Sequence, residues 1–496
     1  MRMNKKSNVK YSKLLLNEDD VKTLKSRLVP QPRRTSFYNG EEYRVADGCR
    51  MRILGPGADA VSRLAKSYWN IEPEVIRDEG RPEKTDPESY SMKITASEIV
   101  ISAADMAAVR YAMSTLRQLA EVERGRETFS CHLLPQCEIS DAPSMPFRGV
   151  HMCWFPETSG WQIEKQLRLA AYYKFNHMVL ETWGTFPFES HPELCWEDHP
   201  GRDEISRLIS LGRELGVTLI PQFNMLGHGS GASISNGKHV MLDLNPSLQP
   251  LLEPDGWSWC LSNPSTRKLL SDVAAELHDF FGHPSYFHLG FDEAFNIRSC
   301  SACRRKPLAD LFKDHLLYFH DLFAKRGSRI IIWHDMLLNH QDERWENYVI
   351  RDRAPVNLEP LLPQLPKDIV IADWQYKYPE VGGKEPGWDS ARFFKEQGFD
   401  VLFSPWAAEK ATLSMGRLGA REKFAGMLTT TWNGNFGTNL FKIFSMAAQA
   451  SWNGDWHDIG NADDWQMFNF HIRQMGWDMK LREYAKLGTT KYMRID

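Results

Sequence analysis

The chain has 496 residues with 60 Lys and Arg against 64 Asp and Glu, a formal charge of −4, so it carries no basic surplus to displace counterions from a nucleic acid. A hydrophobic share of 42% with 25% charged residues is that of a folded globular protein and excludes a largely disordered chain. No window approaches the roughly 18 apolar residues of a membrane span, and the basic N-terminus has only Leu14 to Leu16 as an apolar run, too short for a signal-peptide core. The expected setting is cytoplasmic, with neither nucleic acid nor membrane as partner; the sequence sets no oligomeric state.

Residues 1 to about 85 are mixed in pattern, and the polar, Pro- and charge-rich stretch at 77–88 reads as a surface loop. From Tyr90 two short β-rich runs, YSMKI and EIVISA, precede a helical pattern over 105–120, a strand, strand, helix unit. The Asp-Ala-Pro-Ser-Met-Pro punctuation at 141–146 marks a boundary. The expected domains are a small α/β unit over 1–143, a second unit over 144–455 and a helical tail over 456–496 packed on it.

Within the second unit, apolar β-type runs at 147–155, 175–183, 217–223, 286–291, 329–334, 368–374, 400–406 and 425–432 alternate with helical stretches. Alternation implies parallel strands with helical crossovers, and continuous apolar runs imply burial on both faces. Eight such units predict an α/β fold of the (β/α)8 TIM-barrel type, preceded by the small α/β domain. An open doubly wound sheet is the alternative, weakened by the lack of a Gly-rich phosphate loop after the first strand.

In such a barrel the chemistry sits where the strands end. The fourth run ends His288-Leu289-Gly290-Phe291-Asp292-Glu293, two adjacent carboxylates that are costly unless exposed or paired. The next four runs end at or near Trp333, Trp374, Trp406 and Trp432, so an acidic pair would share its rim with aromatic faces. Carboxylates for glycosidic acid catalysis beside indoles that stack on a pyranose suggest a sugar site.

These motifs resemble those of the family 20 glycoside hydrolases, the β-N-acetylhexosaminidases. Their His-x-Gly-Gly-Asp-Glu signature corresponds to His288 to Glu293, their barrel-opening Arg-Gly to Arg148-Gly149, and their third-strand Pro-Glu-x-Asp-x-Pro-Gly-His type motif to Pro221 to His228. The region from Tyr90 to Phe147 is similar to the small domain that precedes the family's barrel, and the resemblance covers roughly 86–455. It implies an exo-acting, retaining enzyme that releases terminal GlcNAc or GalNAc, in which the substrate's own 2-acetamido oxygen attacks the anomeric carbon to give an oxazolinium. Glu293 would then be the acid and base, and Asp292 would hold the acetamido N–H. Trp333, Trp374 and Trp432 would enclose the acetamido methyl, with Trp406 on the same rim. Arg148 would donate to the sugar O3 and O4, and His228 with Glu181 would form a relay behind the acid.

Three departures qualify this implication. The family's seventh-strand tyrosine is missing from Ser404-Pro405-Trp406-Ala407, so Tyr376, or else Tyr378, is expected to reach the same spot from the neighbouring loop. Phe291 replaces the second glycine of the signature and is expected beside the acid pair, reshaping the pocket. Gln222 and Asn224 stand where acids are common. An ideal strand would also place Asp292 and Glu293 on opposite faces, so both face the mouth only if the strand end is irregular. Asp335 and Asn433 are further candidate sugar-hydroxyl contacts. Alternatives are a same-fold glycosidase with altered sugar specificity and a non-catalytic carbohydrate-binding protein.

The eight cysteines are scattered and read as reduced thiols with no disulfide framework. Cys300-Ser301-Ala302-Cys303 offers two thiols, whereas a closed tetrahedral zinc needs two more ligands and no second Cys-x-x-Cys appears; His315 and His320 have no assignable place. No metal or other cofactor is therefore expected. The expected partner is an oligosaccharide or glycoconjugate ending in a β-linked N-acetylhexosamine.

Overall fold

The computed structural model describes residues 13–475 apart from 79, 81–85, 124–130, 157, 198, 231–241, 243–244, 349–356, 380–384, 433–436 and 455–463. The N-terminal part opens with α1 (Glu18–Ser26), whose start is fixed by the Asn17 side chain accepting from the Asp19 and Asp20 N–H groups. Strands β1 (Arg34–Val45), β2 (Arg50–Leu54), β3 (Glu74–Asp78), β4 (Tyr90–Ile94), β5 (Ile99–Ala103), β6 (Glu121–Val122) and β7 (His132–Asp141) form one mixed sheet. Its order is β1-β7-β4-β5-β2-β3, with β6 pairing β7. Helices α2 (Ala58–Trp69) and α3 (Met106–Leu119) bury Val61, Ala65, Val109 and Leu116 in one core with Ile53, Met92 and Ile101 of the sheet. Residues 34–78, where the pattern predicts no element, thus supply three of its strands, and Arg77 and Asp78 of the expected loop close β3.

Eight parallel strands then close into a barrel: β8 (Phe147–Trp154), β9 (His177–Thr182), β10 (Thr218–Gln222), β11 (Tyr286–His288), β12 (Arg329–Trp333), β13 (Val370–Trp374), β14 (Asp400–Ser404) and β15 (Gly426–Thr430). Each lies inside one of the expected runs. The open-sheet alternative is excluded because β15 pairs β8, from Gly426 opposite Phe147 to Thr430 opposite His151. Inward residues at two-residue spacing, including Phe147, Val179, Ile220, Ile331, Val370, Leu402 and Leu428, fill the barrel. Helices α4 (Gly160–Tyr172), α5 (Arg202–Leu215), α6 (Pro264–Phe280), α7 (Leu308–Ala324), α8 (Asp389–Glu396), α9 (Glu409–Glu422) and α10 (Gly437–Asn453) follow in chain order. Among the described residues no helix is long and apolar enough to cross a membrane.

The small domain meets the barrel through buried polar contacts. Lys174 donates to Asp141 Oδ2 at 3.0 Å and to the Tyr90 hydroxyl at 3.0 Å, and the Trp452 indole donates to Asp141 Oδ1 at 2.8 Å. Of the C-terminal stretch, α11 (Asp464–Gln474) brings His471 within 3.0 Å of the Tyr173 hydroxyl.

Candidate active site

The fourth barrel strand stops at His288, three residues short of its apolar run, because Gly290, Phe291 and Glu293 take φ values of 69°, 72° and 52°. These left-handed residues break the alternation that would send Asp292 and Glu293 to opposite faces. Both carboxylates converge on one imidazole: His228 Nε2 lies 3.3 Å from Asp292 Oδ2 and 3.2 Å from Glu293 Oε2. His228, Phe291, Glu293, Ala407 and Trp432 all have φ between 42° and 72°, so backbone strain concentrates at the strand ends of the barrel mouth.

The loop after β10 supports the acid from behind. The Trp257 indole donates to Glu293 O at 2.6 Å and packs on His228 with ring centres 4.4 Å apart. The Trp259 indole donates to Asn224 O at 2.9 Å, and Gln222 Nε2 donates both to Asn224 Oδ1 at 2.9 Å and to Glu181 Oε1 at 2.9 Å. Acids at 222 and 224 would repel the fully buried Glu181; the amide at 222 donates to it instead. Glu181 also accepts from the Trp183 indole at 3.2 Å and lies 3.4 Å from His151 Nε2.

Opposite the acids stands an aromatic wall. The Tyr376 ring lies 5.2 Å from Trp374 and 5.5 Å from Trp406, and its hydroxyl accepts from the Trp432 indole at 2.8 Å. Burial pushes that hydroxyl well above its ordinary pKa, so it keeps a proton to donate. Trp432 lies 6.0 Å from Trp333 and 4.8 Å from His151. The indole N–H groups of Trp333 and Trp406 are buried with no acceptor among the described residues, which suits them to a ligand oxygen.

Asp335 joins the wall to the acids. Its Oδ2 accepts from the Glu293 N–H at 3.0 Å and its Oδ1 from the Trp374 indole at 3.3 Å. Burial, and then the neighbouring Asp292 charge, push its carboxyl up to about 7. Two donor groups here are tight enough to embrace a cation, His228 with Asp292 and Glu293, and His151 with Cys153 and Glu181, each with its ligand atoms within 4.8 Å of one another.

The model described as glycosyl hydrolase family 20, catalytic domain, matches residues 163–409, and that for domain 2 of the same family matches residues 25–142. The chain belongs to glycosyl hydrolase family 20. A beta-hexosaminidase of Vibrio furnissii is 23% identical over 73% of this chain and 66% of its own length. Beta-hexosaminidase 1 of Coccidioides posadasii is 25% identical over 51% of this chain and 46% of its own. The chain thus spans less than two thirds of these curated relatives. Among solved structures, a family 20 exo beta-N-acetylglucosaminidase of Vibrio harveyi with bound N-acetylglucosamine has a TM-score of 0.67 at 17% identity, covering 90% of this chain and 77% of that one. A beta-N-acetylhexosaminidase of Bacteroides fragilis has a TM-score of 0.61 at 18% identity, covering 90% and 96%. These structures share the fold.

Within this family 20 frame several expectations change. Arg148 is the second residue of β8, at the opposite end of the barrel, and does not reach the pocket. Its guanidinium bonds Glu88 at 2.7 and 3.0 Å, the Tyr111 hydroxyl at 2.7 Å and the Met145 and Lys174 carbonyls, so it joins the small domain to the barrel. The Phe291 ring does not flank the acids either; its left-handed backbone turns it outward onto Phe312 and His315 of α7, 5.5 and 5.6 Å away, where it is fully buried. Tyr378 packs on Trp388, leaving Tyr376 as the tyrosine of the wall. Asp335 is fully buried and its two oxygens accept from the Glu293 N–H and the Trp374 indole, and Asn433 lies outside the described residues. Sequence reading missed His151 and Trp257. Alternation from Phe147 would have pointed His151 inward, but no local signal brings the Trp257 loop back over Glu293.

Proposed function

We propose that this protein is an exo-acting, retaining β-N-acetylhexosaminidase that releases terminal GlcNAc or GalNAc from an oligosaccharide or glycoconjugate by substrate-assisted catalysis. The observation that carries the reading is the convergence of Asp292 and Glu293 on the single His228 nitrogen. Held on one imidazole with their ligand oxygens within 4.8 Å of each other, the two carboxylates suit an acid beside a carboxylate that positions the substrate. With the pair held this way, the 2-acetamido group of the substrate is the group suited to supply the attacking oxygen. Glu293, the more exposed of the pair, protonates the leaving oxygen and then deprotonates water. Asp292 accepts the acetamido N–H, which orients the nucleophile and offsets the charge developing on the oxazolinium. Tyr376, whose acceptor side is taken by the Trp432 indole, donates to the acetamido oxygen, and Trp333, Trp374, Trp406 and Trp432 bound the methyl and the ring faces. His228 holds the acid pair, and Glu181 keeps the floor in place through Gln222 and His151.

Aryl β-glycosides of GlcNAc, GalNAc and glucose test the reading. The two acetamido sugars are expected to turn over and glucose not, with Glu293→Gln abolishing release and Tyr376→Phe lowering kcat. The placement of Arg148 away from the pocket favours a second reading, a same-fold glycosidase with altered sugar specificity, which turnover of the 2-hydroxy sugar would support. Tight binding of an oxazoline-mimicking thiazoline without any turnover would indicate a non-catalytic carbohydrate-binding protein. None of the eight cysteines is in a disulfide, which suits a reducing compartment, and cell fractionation tests a cytoplasmic location.

A further inference from the structure

The loop that leaves the acid pair carries Cys300 and Cys303, and the structure supplies the ligands that the sequence lacks. Cys260, from the loop after β10, brings its sulfur to 3.7 Å from Cys300 Sγ and to 3.7 Å from Cys303 Sγ. The Glu253 carboxylate, fully buried, is the fourth donor, and all four ligand atoms lie within 4.8 Å of one another. With zinc–sulfur bonds of about 2.3 Å, the edge of a tetrahedron is about 3.75 Å. Cys260 thus stands at the spacing of zinc ligands from two sulfurs at once. A disulfide would instead single out one partner at about 2.05 Å.

The surroundings are those of a metal-binding turn. The Cys303 N–H donates to Cys300 Sγ at 3.2 Å, the kind of bond that favours a thiolate. Glu253 is oriented by the N–H groups of Arg298 and Cys300 and, at 3.0 Å, by the Ser299 hydroxyl. His315 and His320 take no part, since they bond the Met225 carbonyl at 2.8 Å and Asp368 at 2.9 Å.

We propose that Cys260, Cys300, Cys303 and Glu253 form a structural zinc site that ties the loop after β10 to the loop carrying Asp292 and Glu293. The first of these loops holds Glu293 through the Trp257 indole, and its Ser258 hydroxyl donates to Asn296 at 2.7 Å on the other loop. A zinc ion between them fixes the seam beside the acid without touching the sugar. As each sulfur–zinc bond forms, a thiol proton passes to solvent, so uptake at neutral pH releases protons.

The test is elemental analysis of the full-length protein purified without chelator, followed by cobalt(II) titration of chelator-stripped protein. The expected result is one zinc per chain and, with cobalt, thiolate charge-transfer bands with the strong visible bands of a tetrahedral site. Cys260→Ser should abolish the zinc content and change the cobalt spectrum; if that variant fails to fold, the wild-type cobalt spectrum still decides. Protein that holds no zinc and gives no thiolate–cobalt bands overturns the proposal, as does a mass consistent with a disulfide from Cys260 to Cys300 or Cys303. The metal readouts do not depend on turnover, so they stand or fall separately from the proposed hydrolase activity.

Discussion

Gly227 precedes His228 where the third-strand loop passes under the acid pair, and its alanine variant tests whether that approach sets the catalytic geometry. A methyl there would meet Asp292 O at 2.2 Å, Ala294 N at 3.1 Å and the Glu293 carbonyl carbon at 3.2 Å. An ordinary carbon–oxygen contact needs about 3.3 Å, so the loops must part by about 1 Å. All the atoms struck are backbone, so no side chain can rotate out of the way. Displacement of about 1 Å at a reacting group costs about 100-fold in rate, and relief of the overlap costs about 1–3 kcal/mol of stability. Gly227→Ala is therefore expected to lower kcat on an aryl β-GlcNAc about 100-fold with KM little changed, and to lower Tm by a few degrees. Gly201→Ala, where a methyl meets nothing within 4 Å, is the control and should leave both unchanged. A Gly227→Ala enzyme with kcat within about twofold of wild type and an unchanged Tm would refute the reasoning.

Other consequences follow from the same geometry. The Asp335 carboxyl, raised in the fold to about 7, binds its proton more tightly in the native state than in the unfolded chain, so the stability it contributes is full at acid pH and is lost as pH rises from the ordinary aspartate range to about 7. Tm should fall across that window, and Asp335→Asn should flatten the fall when melting is followed against pH. Arg148→Ala leaves Glu88 and the carbonyls of the domain junction without their donor and should cost about 3–5 kcal/mol in denaturant unfolding while KM stays within about twofold; a large rise in KM at unchanged stability would return Arg148 to the pocket. Phe291→Gly removes a buried ring but relieves a left-handed backbone, a net loss of about 2–4 kcal/mol with no change in sugar affinity; altered GlcNAc-to-GalNAc preference would contradict its outward placement.

The barrel strands were legible because they are buried on both faces and read as apolar runs, and α3 because its apolar residues recur at helical spacing after the Asp105 cap. The edge of the N-terminal sheet was not: β1 shows mostly exposed and half-exposed residues and gains its place by pairing with β7, a partner about a hundred residues away. In the site, the acid pair and its tryptophans could be named since each ends a strand run. Arg148 was misplaced for the opposite reason, since a residue at the start of a strand lies about 20 Å from its end, and sequence order alone does not say which contact a buried guanidinium takes.

The sequence by itself determined the order of the barrel's strands and helices, the acids and indoles at the barrel mouth, and the family to which the motifs point, because alternation and apolar runs are local properties of the chain. Tertiary structure alone decided that Gly290, Phe291 and Glu293 turn left-handed so that both carboxylates meet His228. It also decided that Trp257 and Asp335 grip Glu293 from two sides and that Cys260 joins a distant Cys-x-x-Cys. Such contacts join residues from loops after different strands, and their distances depend on barrel closure, which no window of sequence contains.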